Sequence, residues 1–240
     1  MSELHVRANV SASKDAQSWG LPGVLDYFEH QRRSPSDVYP SESLFLDALL
    51  TEGLSILDVG CAMGGFAGII GKKLQSFNYT GIDINPAMIA RARERNPERE
   101  FLQVGETDFA ALGERHFDLV LCLGILHLNE RWEELIAASW ARAARYLLLD
   151  LRETHLPTLV DRSVSYFKMD FGSAADVAHA QTTLPYNIIN SGDALRILQE
   201  RCTGNGRITR YGYTHAIAGS AVSPIQEVMM STYCIERKHG

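Results

Sequence analysis

The stretch Ile56-Leu57-Asp58-Val59-Gly60-Cys61-Ala62-Met63-Gly64-Gly65-Phe66 decides the fold. Three apolar residues around one aspartate suit a buried parallel strand, and the glycines that follow suit a tight turn into a helix. Glycine permits the sharp turn and leaves room for a ligand where a Cβ would collide. The helix after the turn offers unpaired N–H groups and the positive end of its dipole to that ligand. Asp58, at the strand end, disfavours a phosphate and favours a ligand bearing an ammonium group.

Around this stretch lie 240 residues, enough for one large domain or one domain with an embellishment. With 45% hydrophobic and 22% charged residues, the composition is that of an ordinary globular protein. No apolar run approaches the roughly 20 residues that span a bilayer. The start Met1-Ser2-Glu3-Leu4-His5 lacks the basic head and apolar core of a signal peptide, so a cytoplasmic location is expected. A net charge of −6 argues against a surface built to grip nucleic acid. Cys61, Cys122, Cys202 and Cys234 are too scattered for a zinc site or a disulfide framework. Reduced thiols and no metal are expected.

Before the decisive stretch, Val24, Leu25, Tyr27 and Phe28 suggest a short helix ending near Ser34-Pro35. A second helix after Ser41 is expected to bury Leu44, Phe45, Ala48 and Leu49. Residues 1–50 thus read as a helical cap, and residues 51–240 as the main domain. Strands are expected at 55–59, 79–82, 101–104, 117–123 and 146–151, with a helix at 65–75 and another opening at Asn85-Pro86. Trp132, Leu135, Ile136, Ser139 and Trp140 recur at helical spacing, so both tryptophans read as core. An insertion at 152–190 carries strand-like pieces at 164–171 and 184–189. Its Phe167, Met169 and Phe171 alternate on one face, which suits a substrate wall or a homodimer contact. A helix from Ser191 and strands at 207–213 and 228–236 close the chain, joined by a loop at 214–227 that is long for a hairpin. The expected fold is α/β: a Rossmann-like, doubly wound sheet of five parallel strands plus an antiparallel C-terminal hairpin.

In this order the segments resemble the class I S-adenosylmethionine-dependent methyltransferases over most of residues 50–240. The family loop D-x-G-x-G-x-G appears as Asp58-Val59-Gly60-Cys61-Ala62-Met63-Gly64, with Ala62 at the middle glycine. The resemblance implies that the backbone from Gly60 through Cys61 and Ala62 holds the methionine part of the cofactor. Asp58 would act near its ammonium, directly or through water. Asp83, 23 residues after Gly60, would accept the ribose hydroxyls. Each such bond is worth ~1.5–3 kcal/mol. Ile84 and Met88 would pack on the adenine. The base-reading aspartate of the family falls on Gly105, leaving Glu106, Asp108 or the backbone of 105–107, Thr107 included, to read the base. Asp108 reads better as the cap of the next turn. The segment Cys122-Leu123-Gly124-Ile125-Leu126-His127-Leu128 would border both cofactor and acceptor, with Cys122 a small buried residue. His127 is the candidate general base, against a reading as a packing histidine.

The resemblance implies methyl transfer to a hydroxyl or amine of a small molecule, with neither nucleic acid nor membrane as partner. Acceptor contacts should come from the parts that vary on this fold. Tyr27, Arg33, Tyr39, Arg152, His155, Tyr166 and Tyr186 are the candidates. A nicotinamide-dependent oxidoreductase is the main competitor, but residues 60–64 lack the G-x-G-x-x-G spacing and Asp58 would repel a pyrophosphate. An RNA or protein methyltransferase is disfavoured by the acidic balance and by the lack of an Asn/Asp-Pro-Pro-Tyr/Phe motif after the fourth strand. The complete cofactor loop speaks against a non-catalytic binding module.

Overall fold

The computed structural model describes residues 19–20, 22–169 and 183–238. Phe171 and the end of the first strand-like piece of the insertion lie outside the described residues. Five parallel strands form the centre: β1 (Ser55–Val59), β2 (Asn78–Asp83), β3 (Glu100–Gln103), β4 (Phe117–Cys122) and β5 (Ala143–Thr154). The strand order is β3-β2-β1-β4-β5. Leu57 of β1 sits in register between Thr80 of β2 and Val120 of β4. Because the order reverses between β1 and β4, a crevice opens there at the carboxyl ends of the strands.

Helices α1 (Pro22–His30) and α2 (Pro40–Leu49) precede this sheet, and α3 (Gly65–Gly71), α4 (Pro86–Arg95) and α5 (Trp132–Arg142) connect its strands. The sheet has two apolar faces. On one, Leu57, Val120 and Leu149 meet Trp132, Ile136 and Trp140 of α5, so both tryptophans are core. On the other, Ile56, Leu119 and Leu121 meet Phe45 and Leu46 of α2, Phe66 and Ile70 of α3 and Ile89 of α4. Asn85 caps α4 by accepting from the N–H groups of Ala87 and Met88.

Two expectations about helices need correction. Helix α2 turns Ser41, Glu42, Phe45 and Leu46 inward and leaves Leu44 51% exposed and Ala48 exposed. It therefore packs in a layer of the main domain, tied to the sheet by the Thr232 hydroxyl, which donates to Ser41 Oγ. Helix α3 stops at Gly71 rather than near residue 75, because Lys72 and Lys73 turn back onto Ile69 and Ile70 with short-range bonds.

Beyond β5 the chain forms β6 (Tyr166–Lys168), β7 (Thr183–Pro185), β8 (Ile189–Asn190), α6 (Ser191–Arg201), β9 (Asn205–Ala216), β10 (Ala221–Val222) and β11 (Glu227–Arg237). Strand β11 pairs antiparallel with β5 and β9, as the expected hairpin does, and β8 adds a short parallel edge to β5. The long hairpin loop is partly structured: β10 joins β6 and β7 in a separate three-stranded sheet. Strand β5 outruns its expected span because its last turn-side residues are polar. Asp150, Arg152, Glu153 and Thr154 are buried, so hydropathy alone ends the strand too early.

Candidate active site

The crevice at the strand ends is a cavity of about 480 Å³. Its floor is the loop after β1. Gly60, Ala62 and Gly64 all have positive φ, at 72°, 45° and 73°. The glycine at 60 is required twice, since a Cβ there would come within 2.5 Å of Ile125 Cδ1. Ala62 tolerates its strained conformation because its N–H is anchored on Asp83 Oδ2 at 3.0 Å, while the N–H groups of Gly60 and Cys61 bond Ile82 O. Gly64 faces away from the cavity, packed against Asn96 and Phe101, and serves as the cap of α3.

Asp83 terminates β2 on the cavity wall. Its other oxygen accepts from the Asn85 N–H at 2.9 Å. Burial raises its pKa, and the backbone N–H bonds oppose that rise. Each carboxylate oxygen retains an acceptor site beyond these bonds. Asp58 is also on the wall, 3% exposed, and accepts from Tyr79 Oη at 2.5 Å. Burial pushes it up to about 6, against the pull of Tyr79 and of the Arg32 guanidinium. Cys61, Ile84 and Met88 line the same half, as do Gly105, Glu106 and Leu123.

The remaining expectations for this half divide. Thr107 is off the cavity wall. Cys122 is fully buried in the core between β1, β4 and α5. Asp108 is the cap of a short turn, with Oδ1 accepting from the Ala110 N–H at 3.0 Å.

The opposite half is assembled from distant segments. Tyr27, Tyr39, His127, Arg152 and Tyr186 line it. Three expected acceptor residues do not. Arg33 is exposed, its backbone N–H engaged by Asp37, and the inward residue is its neighbour Arg32. His155 is exposed after the end of β5. Tyr166 sits on the other side of the β6 pleat from Phe167, and Phe167 is the one on the wall.

His127 is 8% exposed, in the 3₁₀ turn Leu126–Leu128, with its ring edge-on to Tyr186 at 5.5 Å between centroids. Its Nδ1 is buried without a hydrogen-bond partner among the described residues. Burial, helped by Arg152, lowers its pKa to about 3. A ring so depressed is neutral at ordinary pH but a weak proton acceptor. The base expected at this position is therefore poorly matched to that task.

Two ion pairs flank Gly124, Arg152–Asp150 buried and Arg32–Glu42 with its carboxylate buried and its guanidinium partly exposed. Arg32 donates to both oxygens of Glu42, at 2.8 and 3.0 Å, and stacks 4.3 Å over Phe66. Arg152 donates to Asp150 Oδ2, and Asp150 Oδ1 accepts from the Gly124 N–H at 2.5 Å. Burial is the largest influence on Asp150 and opposes its charge, but Arg152, His127 and the Gly124 N–H together outweigh it and the carboxyl is held low. Both arginines line the cavity, whereas Glu42 and Asp150 do not. Sequence reasoning missed Arg32. The available signal was Glu42, an acidic residue on the inner face of a helix, which needs a buried cation. Trp19, His215 and Ser220, also on the wall, carried no pattern, and Phe28 was marked only as part of a short helix.

With this geometry in place, comparison with known proteins is informative. Residues 57–147 match the family model described as a methyltransferase domain. The 2-methyl-6-phytyl-1,4-hydroquinone methyltransferase of Synechocystis is 30% identical over 129 residues, 46% of this chain and 40% of that protein. The fatty-acid O-methyltransferase of Mycolicibacterium smegmatis is 33% identical over 116 residues, 48% of this chain and 40% of that protein. The chain thus matches about two fifths of the length of these relatives. Among solved structures, magnesium protoporphyrin IX methyltransferase of Synechocystis with bound S-adenosylmethionine superposes with a TM-score of 0.50. Its identity is 17%, over 97% of this chain and 86% of that one. Residues 57–147 thus match a methyltransferase domain, and the fold around them is shared with that solved structure. Among the described residues, no helix is long and apolar enough to cross a membrane.

Proposed function

We propose that the chain is a methyltransferase that moves a methyl group from S-adenosylmethionine to a small molecule. The observation that carries this reading is the strained loop of residues 60–64, whose Ala62 N–H is held by Asp83. That bond locks the cradle and the ribose acceptor into one unit. The residues present fit the cofactor. Gly60, Cys61 and Ala62 line the cavity, Asp83 offers spare acceptor capacity for ribose hydroxyls, and Asp58 suits the ammonium. Arg32 suits the methionine carboxylate, since its guanidinium reaches the wall while Glu42 stays behind it. Ile84, Met88, Val104 and Phe109 offer an apolar slot for the adenine.

When bound, the cofactor supplies an electrophilic methyl group on a sulfonium. The chain's own part is to orient and to exclude water. Tyr186, Phe167 and Leu128 enclose the acceptor half, and the Asp150–Gly124 bond fixes the loop between the two halves. Names of relatives support a small organic acceptor, since those proteins act on a hydroquinone and on fatty acids.

Calorimetric titration with S-adenosylhomocysteine is the test. Wild type should bind it in the micromolar range or tighter, and Asp83→Asn should weaken it greatly. Binding of a nicotinamide dinucleotide with no response to S-adenosylhomocysteine would reverse the reading.

A further inference from the structure

The carboxylates on the cavity wall are Asp37, Asp58, Asp83 and Glu106. Asp58, Asp83 and Glu106 stand in the half that carries the cradle, and Asp37 belongs to the turn before Tyr39, its carboxylate engaged by the Arg33 and Ser34 N–H groups. Among the described residues, no aspartate or glutamate reaches the wall from residues 123–129, from β5 to β7, or from residues 215–230. The charge on that side is Arg152, 5% exposed. Its counter-ion Asp150 lies behind the wall, with one oxygen on Arg152 and the other on the Gly124 N–H. A guanidinium has five N–H donors, and Asp150 takes one. The Tyr186 hydroxyl bonds to the same group, and the Tyr39 ring lies 5.9 Å from it. Next to this polar spot the wall is apolar: Phe167, Leu128, Met230 and the ring faces of Tyr39 and Tyr186.

We propose that the acceptor is an organic anion whose carboxylate or phenolate oxygen sits on Arg152 while its apolar body lies against Phe167, Leu128 and Met230. This rests on the methyltransferase reading and deepens it. A planar guanidinium with its counter-ion out of reach suits an oxyanion and repels an ammonium. The buried acidic groups that would welcome an amine, Asp58 and Asp83, are in the other half of the cavity.

The chemistry balances without a proton acceptor. The anionic oxygen forms the new C–O bond as the methyl–sulfur bond breaks, and that electron pair stays on sulfur. The acceptor leaves as a neutral ester or ether and the sulfur as a neutral thioether. No proton moves, in keeping with a cavity wall where the one central histidine is buried beside Arg152 with its Nδ1 unpartnered among the described residues.

The test uses three probes of one shape on the S-adenosylhomocysteine-saturated protein: naphthoate, naphthalenemethanol and naphthylmethylamine. The expected order in wild type is naphthoate tighter than the alcohol by about tenfold, equal to about 1.4 kcal/mol, with the amine weakest. Arg152→Lys should keep part of the preference. The pair Asp150→Asn/Arg152→Met leaves no buried charge alone and should bind naphthoate and the alcohol alike, with S-adenosylhomocysteine affinity kept within about twofold. Equal binding of naphthoate and the alcohol by wild type overturns the proposal. So does a preference that survives without the guanidinium, or failure of all three probes to bind. Failure of S-adenosylhomocysteine to bind wild type counts against the methyltransferase reading, while the naphthoate preference is still measurable without it.

Discussion

The two halves of the cavity are built by different means. The cradle half is local: one strand, one loop and the end of the adjacent strand, shaped by backbone conformation and two aspartates. The acceptor half is composite. Arg152 comes from β5, Phe167 from β6, Tyr186 from the turn after β7 and Tyr27 from α1, and only the tertiary fold unites them. A site made of backbone tolerates little change in shape, whereas a site made of side chains on separate segments changes one contact at a time. The fold thus fixes the donor and leaves the acceptor to loops.

Mutations should separate the halves by size of effect. The largest is expected from Glu42→Leu, which strands Arg32 as a partly buried charge. Chemical denaturation should report a loss of up to ~3 kcal/mol, mostly recovered in Arg32→Met/Glu42→Leu. If the double variant regains stability but still binds S-adenosylhomocysteine normally, Arg32 belongs to neither half. Next, Asp83→Asn should weaken S-adenosylhomocysteine by on the order of 100-fold, through the loss of charge-assisted bonds worth ~1.5–3 kcal/mol each. Binding of an acceptor-side probe should be unchanged.

The third contrast is in pH. Asp58 is held up to about 6, above its unfolded value near 4, so it is protonated at low pH in the folded protein. Binding of an ammonium-bearing ligand should strengthen up to ~tenfold per unit as pH rises toward about 6, then level off. The free protein should lose stability across the same window, because the unfolded chain gives up that proton first. Asp58→Asn should flatten both profiles. His127 should behave in the opposite sense. Its folded value of about 3 lies below the unfolded one, so its contribution to stability is present above about 6.5 and is lost as pH falls. His127→Gln should leave the shape of the rate profile between about pH 6 and 8 intact, since a group titrating near 3 has no inflection there. A new or missing inflection would restore it as a base. The smallest effect is expected at Arg33→Ala, within about 0.5 kcal/mol in stability and with no change in ligand binding.

The same contrast explains what was legible in the chain. The turn at Gly60 to Gly64, the acidic end of β2 and the alternation of strands with helices are local patterns, and each appears in the structure near its expected place. Errors arose where burial depends on a partner far away in sequence. Glu42 is buried because Arg32 meets it, so the inner face of α2 was misassigned by hydropathy. Arg152 and Asp150 satisfy one another, which hid the extent of β5. Arg33 was preferred to Arg32 because nothing local separates two adjacent arginines. The positive φ of Arg32, 50°, just beyond the end of α1, turns it inward.

Asn187 links the two kinds of construction. Its side-chain amide donates to Leu126 O at 3.1 Å and to Asn129 O at 2.8 Å, while its backbone N–H donates to His127 O at 2.8 Å. The turn bearing Tyr186 is thus tied to the segment bearing His127 by three bonds. Local opening cannot free one without the other, so the backbone amides of both segments should exchange with solvent as a single cooperative unit. Asn187→Ala should split that unit and speed exchange at both segments, with the cradle amides unaffected. The wall bearing Tyr186 and His127 should then open at a rate of its own, independent of the cradle.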